Sequence, residues 1–165
     1  MRTKLTVTIA VAYALLLAWQ HFNGGVPAHH LLARADLPSI SNWWGLVSLP
    51  LLAWLALGRI ERRQEDADPS PAGGFTCALL FGALLAFFFA MGRGDMCEYL
   101  VQGLPLIALL YPVYRAECVL GFVLGMTHTF GPVLPIVAAA IFALGAYVLF
   151  HGIRLLGARV LRLKR

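Results

Sequence analysis

Long apolar stretches separated by short polar segments dominate this chain. Six of them approach the roughly 20 residues that a helix needs to cross about 30 Å of hydrocarbon. They cover residues 5–19, 43–57, 75–91, 99–114, 118–130 and 133–150. The pattern therefore predicts an all-α polytopic bundle of about six transmembrane helices, forming a single integral membrane domain over residues 1–165.

Two of these stretches allow more than one interpretation. The first, with its basic start, resembles a signal peptide, but Trp19, Gln20 and His21 follow where cleavage needs small residues, so we predict an uncleaved helix. The fifth is short and is followed by a Gly-Pro break. It fits either a helix that begins earlier, near Pro112, or a re-entrant half-helix buried in protein.

Composition and charge support a membrane location and set the orientation. With 60% hydrophobic and 13% charged residues among 165, and a mean hydropathy of +0.77, the chain lacks the polar surface of a soluble globule. Placing both termini in the cytoplasm leaves only Arg34 and Arg93, of 13 Lys and Arg, outside. We predict a multi-pass protein of a bacterial-type inner membrane. Its net charge of +5 indicates contact with anionic lipid, and no nucleic acid is expected.

The segments between the apolar stretches have distinct characters. Residues 59–74 form a mixed-charge, then Pro- and Gly-rich inner linker, and residues 153–165 form a basic inner tail. In the first outer loop, a turn at Gly24 and Gly25 precedes Pro27, which favours a short helix through Arg34. This loop is predicted to form a lid, with Ser39 or Ser41 capping the second helix.

Polar side chains converge on the predicted outer side. Ionisable groups at membrane depth are costly and usually mark a functional pocket, so their convergence suggests one outward-opening site. The residues assigned to ligand binding are His21, Asn23, Asn42, Asp95 and Glu98.

The same outer loops contain the side chains that zinc prefers. A divalent metal such as zinc is the cofactor that this set favours, with His128, His29, His30 and Asp36 as ligands. The spacing matches no HExxH or CxxC motif, and adjacent histidines on a helix point about 100° apart, so at most one of His29 and His30 easily joins a shared site. An interfacial role for that pair, and a core hydrogen bond for His128, are the alternatives.

Catalytic arrangements can be drawn from the same residues. His128 and Glu98 could act as metal ligand or general base, with Arg93 binding an anionic headgroup. Cys97 with His128 and Arg93 could form a thiol nucleophile set, although Glu98 would raise the pKa of Cys97. His21 and His128 could also ligate a non-covalent haem.

Two further features concern packing. Ala10, Ala14 and Ala18 recur every four residues on the first helix, which lets another helix approach closely, most simply within the same chain. At the inner end, Arg115 and Glu117 are predicted to form an interfacial ion pair beside the buried thiol of Cys118.

Two general resemblances follow from these features. The size, the six helices and the alanine spacing of the first helix look like the substrate-binding membrane subunits of energy-coupling-factor vitamin transporters. That resemblance implies binding of a small molecule. The His, Asp and Ser residues at the membrane boundary are similar to those of small polytopic metal-dependent lipid hydrolases, although the paired histidine spacing expected at their last helix is absent.

Three function classes follow from the sequence. The first is binding or transport of a metal ion or small polar solute in a periplasm-facing pocket. The second is an intramembrane enzyme acting on lipid or lipid-linked substrates at the outer leaflet. The third is an accessory membrane subunit. The expected partners are the lipid bilayer, a small-molecule, metal or lipid ligand, and a partner membrane subunit or a second copy of the chain.

Overall fold

The computed structural model describes residues 1–30, 39–65 and 71–163, and these parts of the chain are mostly helical. Between α1 and α2 lie two short antiparallel strands, β1 and β2, and a 3-10 turn over Asn42–Trp44. The helices confirm the predicted helical bundle and fall close to the predicted stretches. The elements are α1 Arg2–Phe22, β1 Ala28–His30, β2 Ser39–Ser41, α2 Gly45–Glu65, α3 Ala72–Ala90, α4 Gly94–Leu110, α5 Ala116–Phe130 and α6 Val133–Leu163.

Four helical segments of the described chain are long and apolar enough to cross a membrane. They are Arg2–Phe22, Asn42–Arg63, Ala72–Ala90 and Val133–Ile153. Large apolar side chains remain exposed along these helices, as expected where lipid replaces water around a protein. These segments are compatible with a helical membrane bundle.

The helices alternate in direction between two ends of the bundle. At one end the Arg2 amide of α1 donates to the Glu61 carboxylate of α2 at 2.9 Å. At the other, the Cys97 thiol of α4 lies 3.5 Å from the Leu85 carbonyl oxygen of α3. We call the end that contains Arg2 the basic end; it holds the start of α1, the α2–α3 and α4–α5 connections and the end of α6. We call the end that contains Cys97 the loop end; it holds the α1–α2, α3–α4 and α5–α6 connections.

A glycine seam joins α3 to α5, which run parallel. It consists of Gly82 on α3 and Gly121 and Gly125 on α5. A Cβ at position 82 would lie 2.5 Å from the Phe122 carbonyl oxygen, and Cβ atoms at positions 121 and 125 would meet the backbone of α3. Because only glycine leaves this space, the two backbones approach far more closely than larger residues would allow.

Helix α5 is the most buried element in the described chain. It begins at Ala116, after extended backbone at Arg115, rather than near Pro112. It follows α3 as far as the loop end, where the Phe130 and Phe89 rings lie 4.6 Å apart. With 15 residues it rises only about 22 Å, but its neighbours cover most of its surface. Helix α5 is therefore a short central helix enclosed by its neighbours, and it begins later than the helix predicted from Pro112.

The segment between α1 and α2 differs from its prediction. Residues Ala28–His30, expected in a short helix from Pro27, form a strand paired with Ser39–Ser41 in the register Ala28↔Ser41. Gly24 and Gly25 both have positive φ, at 114° and 98°, and redirect the chain before the strand. Pairs between residues 9 to 13 positions apart give backbone hydrogen bonds that the local helix signals do not reveal. The rest of the predicted lid helix lies outside the described residues.

Two packing expectations have opposite outcomes. Ser41 caps the 3-10 turn before α2, its hydroxyl accepting from the Trp43 amide at 3.4 Å, as predicted. Most of the alanine row of α1 does not pack internally, since Ala14 and Ala18 are exposed and only Ala10 is half-buried. Helix α1 packs through Tyr13 and Leu17 instead, because their larger side chains bury more apolar surface.

Candidate functional site

Asn42, predicted to bind a ligand, is a buried packing residue at the loop end. The Tyr13 hydroxyl donates to the backbone carbonyl oxygen of Asn42 at 2.7 Å. The backbone amide of Asn42 donates to the Pro27 carbonyl oxygen at 3.2 Å. Its side chain lies where a Cβ of Gly131 would be, and Gly131 has a φ of 65°. Asn42 thus joins α1, the strand pair and the α5–α6 turn.

His21 and Asn23 lie on the exposed surface beside this junction. The His21 ring contacts the Trp43 ring edge-on, with centroids 6.3 Å apart. The Asn23 side chain donates to the Trp19 carbonyl at 2.8 Å and so caps the end of α1. These contacts hold the end of α1 in place, and the proposed ligand role of both residues stays a prediction.

Arg93, Asp95 and Glu98 lie together at the start of α4 and are all exposed. Arg93 donates through Nε and Nη2 to the two Asp95 oxygens at 3.1 and 3.0 Å. This hydrogen bonding from Arg93 holds the pKa of Asp95 below its usual range. Glu98 accepts from Gln102, one turn later, at 3.0 Å. Glu98 and Gln102 therefore share one face of α4, and exposed pairs of this kind contribute little stability.

The predicted metal ligands are not brought together in the part of the chain that the structure describes. His128 is exposed in the last turn of α5. His29 and His30 are described only as backbone in β1, and Asp36 lies outside the described residues. Among the described residues no group of three or more His, Cys, Asp or Glu could hold a metal ion. The geometry gives no support to metal binding, and the catalytic roles of His128, Glu98 and Arg93 stay predictions.

An apolar cleft lies between α3, α4, α5 and α6, in the half of the bundle near the basic end. It encloses about 460 Å³ and is partly open. Small residues create its space and larger apolar side chains form its walls. The lining is Gly73, Gly74, Cys77, Ala78, Phe81, Leu104, Ile107, Tyr111, Val113, Cys118, Val119, Phe122, Ala139, Phe142 and Ala143.

The length of this cleft can be read along α3. Its lining residues there extend from Gly73 to Phe81, a rise of about 12 Å at 1.5 Å per residue. One half of a hydrocarbon core about 30 Å thick measures about 15 Å. The cleft is therefore about as long as one leaflet is thick, and along α3 it does not reach the loop end.

Polar groups surround the basic end of the cleft. A Cβ at position 74 would lie 2.7 Å from the Tyr111 hydroxyl and 3.3 Å from both the Cys118 thiol and the Glu117 Cγ. Gly74 therefore lets three side chains from α4 and α5 meet against α3. Cys118 is buried, as the sequence predicted.

Glu117 is almost completely buried, and its ion-pair partner is Arg63. The Arg63 Nη1 lies 3.0 and 2.9 Å from the two Glu117 oxygens, with side-chain exposures of 28% and 1%. The sequence had paired Glu117 with Arg115, its near neighbour. The observed contact spans 54 residues and ties the end of α2 to the start of α5, which only the folded chain can bring together.

Sequence reasoning missed the cleft altogether. Gly73 and Gly74 were assigned to the inner linker, although α3 already begins at Ala72. Ala139 and Ala143 are four residues apart on α6. That spacing alone does not reveal a cavity, and a space forms beside them and Ala78 only because four helices meet there. The Gly121 and Gly125 pair was a visible GxxxG signal for the seam that positions α3 beside α5.

The chain was compared with protein-family models, with curated proteins and with solved structures, and none matches it.

Proposed function

We propose that this protein is a six-helix membrane protein that binds one acyl or isoprenoid chain of a lipid in its intramembrane cleft. In this proposal both termini and the basic end face the cytoplasm, and the cleft opens to the inner leaflet. The observation that carries it is an apolar space of about 460 Å³ walled by α3 and α6, which both contain apolar candidate spans.

The size and depth of the cleft favour a bound lipid chain. Its volume falls within the roughly 300–1,000 Å³ of small-molecule sites. The depth of the cleft matches one leaflet, so an acyl chain that enters between the helices from the side stays within the leaflet of its own lipid. A path for a solute would need to continue to the loop end, and the lining residues stop near the middle of α3 and α5.

The chemistry of the lining favours an apolar occupant. Its polar side-chain groups are the Tyr111 hydroxyl and the thiols of Cys77 and Cys118, and two of these lie at the basic end. A polar solute buried against the remaining surface would lose hydrogen bonds to water without replacement, which costs several kcal/mol. An aliphatic chain has no hydrogen bonds to lose on entering.

Filling the cleft tests this proposal. The variant Ala143→Phe places an aromatic ring in the cleft. Its matched control is Leu144→Phe, which adds the same ring one residue later, where the side chain is 67% exposed and lies outside the cleft lining. Native mass spectrometry of protein purified in mild detergent should show one retained lipid in the wild type and in Leu144→Phe. Ala143→Phe should lose most of it. Equal lipid retention in all three proteins would refute the proposal.

A further inference from the structure

Three aromatic rings lie across the end of the cleft that faces the loop end. The Phe122 ring of α5 stacks on the Phe81 ring of α3, with centroids 6.2 Å apart, and meets the Phe142 ring of α6 edge-on at 6.3 Å. All three residues line the cleft. On α3 and α5, Phe81 and Phe122 are the lining residues nearest the loop end. We call this group of three rings the aromatic floor.

Packed side chains fill the space beyond the aromatic floor. Leu85 and Met126 follow Phe81 and Phe122 by about one helical turn, and all four belong to the same apolar core. Met126 is only 7% exposed and Phe122 only 9%. Close packing of this kind leaves few voids that could hold a further methylene. A chain that reaches the aromatic floor therefore has no path onward to the loop end.

The opposite end of the cleft is open. Gly73 is the lining residue of α3 nearest the basic end, and a Cβ added there would have no neighbour within 4 Å. Val113, in the connection between α4 and α5, lines the cleft at the same end. One open end and one closed end give the cleft a fixed length, so a chain that enters at Gly73 stops at the aromatic floor.

The length between the two ends converts into a number of carbon atoms. From Gly73 to Phe81 the cleft extends about 12 Å along α3. An extended alkyl chain advances about 1.25 Å per carbon, because its carbon–carbon bonds of about 1.5 Å zigzag, so about ten carbons fit. A shorter chain leaves a void, and the atoms that line a void lose dispersion contacts. A longer chain has to bend or leave its last carbons outside.

We infer that the aromatic floor determines which lipid chain this protein selects, namely a chain of about ten main-chain carbons. This inference depends on the proposed function, because it specifies the chain length of the same occupant. Phe81 is the floor residue best suited to a test. Phe122 is buried in the core, where loss of its ring would destabilise the protein, whereas Phe81 is only partly buried.

Competition among lipids that differ only in chain length tests the inference. We would mix delipidated full-length protein with an equimolar series of saturated lysophosphatidylcholines and count the bound species by native mass spectrometry. The wild type should retain chains of about ten carbons best. Phe81→Ala leaves Leu85 as the next barrier, about 5.4 Å further, so its optimum should shift to about fourteen carbons. Phe87→Ala removes the same ring from a site on α3 that is 56% exposed and outside the cleft lining, and should keep the wild-type optimum.

Further outcomes separate this inference from the proposed function. Ala78→Leu adds bulk to the lining one turn nearer the open end, so it should shift the optimum to about six carbons and serves as the readout if Phe81→Ala does not fold. Equal retention of all chain lengths by the wild type, with all of them displaced by Ala143→Phe, would overturn the inference and leave the proposed function intact. An unchanged optimum in a folded Phe81→Ala protein would also overturn it. Retention of no lipid at any chain length would refute both.

Discussion

At the residue scale, the ion pair between Arg63 and Glu117 is the contact whose loss should matter most. Two charges taken out of water are tolerated only when each is compensated, and removing the Glu117 carboxylate takes both of its hydrogen bonds away from Arg63. Arg63 is 28% exposed, so water can compensate part of that loss. The pair also holds α2 beside the start of α5, next to the cleft.

We expect Glu117→Gln to destabilise the protein by about 3 kcal/mol, the lower end of the range for breaking a buried pair. The measurement is the thermal unfolding midpoint in detergent. Asp95→Asn is the matched control, because it removes a carboxylate from the exposed pair with Arg93 and should cause no measurable shift. If the two variants unfold at the same temperature, the buried pair does not contribute as argued.

The sequence predicted which residues are polar at each end but not which of them meet. Asn42 looked like a pocket residue because it stands in a polar loop; its burial depends on Gly131, 89 positions later in the chain. Glu117 was assigned to Arg115 because local pairs are the ones that a sequence displays. Contacts made by chain folding over such distances leave no local signature.

At the element scale, the glycine seam sets the distance between α3 and α5. A Cβ at position 121 would meet the Phe75 carbonyl, and one at position 125 the Leu79 carbonyl. Backbone atoms cannot move aside as a flexible side chain can. The helices themselves would have to separate, which would also change the shape of the neighbouring cleft.

We expect Gly121→Ala to destabilise the protein by about 1–3 kcal/mol, the usual cost of overpacking a tight contact. Gly145→Ala on α6 is the control, because a Cβ there has open space around it, and the gain in helix propensity makes it neutral or slightly stabilising. Both can be compared by thermal unfolding in one detergent. A Gly121→Ala protein as stable as the control would show that the seam is looser than described.

The elements were more predictable than their contacts. Apolar length gave the position of each helix, because a helix in lipid must satisfy its own backbone hydrogen bonds. It could not show that α1 would bury Tyr13 and Leu17 and leave Ala14 exposed, since both faces are apolar. The strand at Ala28–His30 was missed because its partner strand lies beyond the local window.

At the scale of the whole molecule, the alternating direction of the helices determines which connections share an end of the bundle. The excess of Lys and Arg at one end then assigns that end to the cytoplasmic side of the membrane. In the proposed topology Glu98 at the start of α4 lies outside, and Arg62 near the end of α2 lies inside. The six crossings and the cytoplasmic termini rest on this assignment.

Single cysteines introduced into a variant with serine at all three native cysteines test this topology. A membrane-impermeant maleimide added to intact cells should label Glu98→Cys, and it should label Arg62→Cys only after the membrane is opened. Both positions are exposed in the structure, so access within the protein does not limit either reaction. Labelling of Arg62→Cys alone in intact cells would invert the bundle and place the cleft in the outer leaflet.

The burial of α5 bears on how the chain enters the membrane during synthesis. A segment of 15 residues with a carboxylate in its first turn is a poor substrate for insertion by itself. The partner of that carboxylate, Arg63, and the α3 side of the glycine seam are both made earlier in the chain. Helix α5 should therefore leave the translocon only after α2 and α3 are in place, so that the last half of the protein inserts onto a template formed by the first.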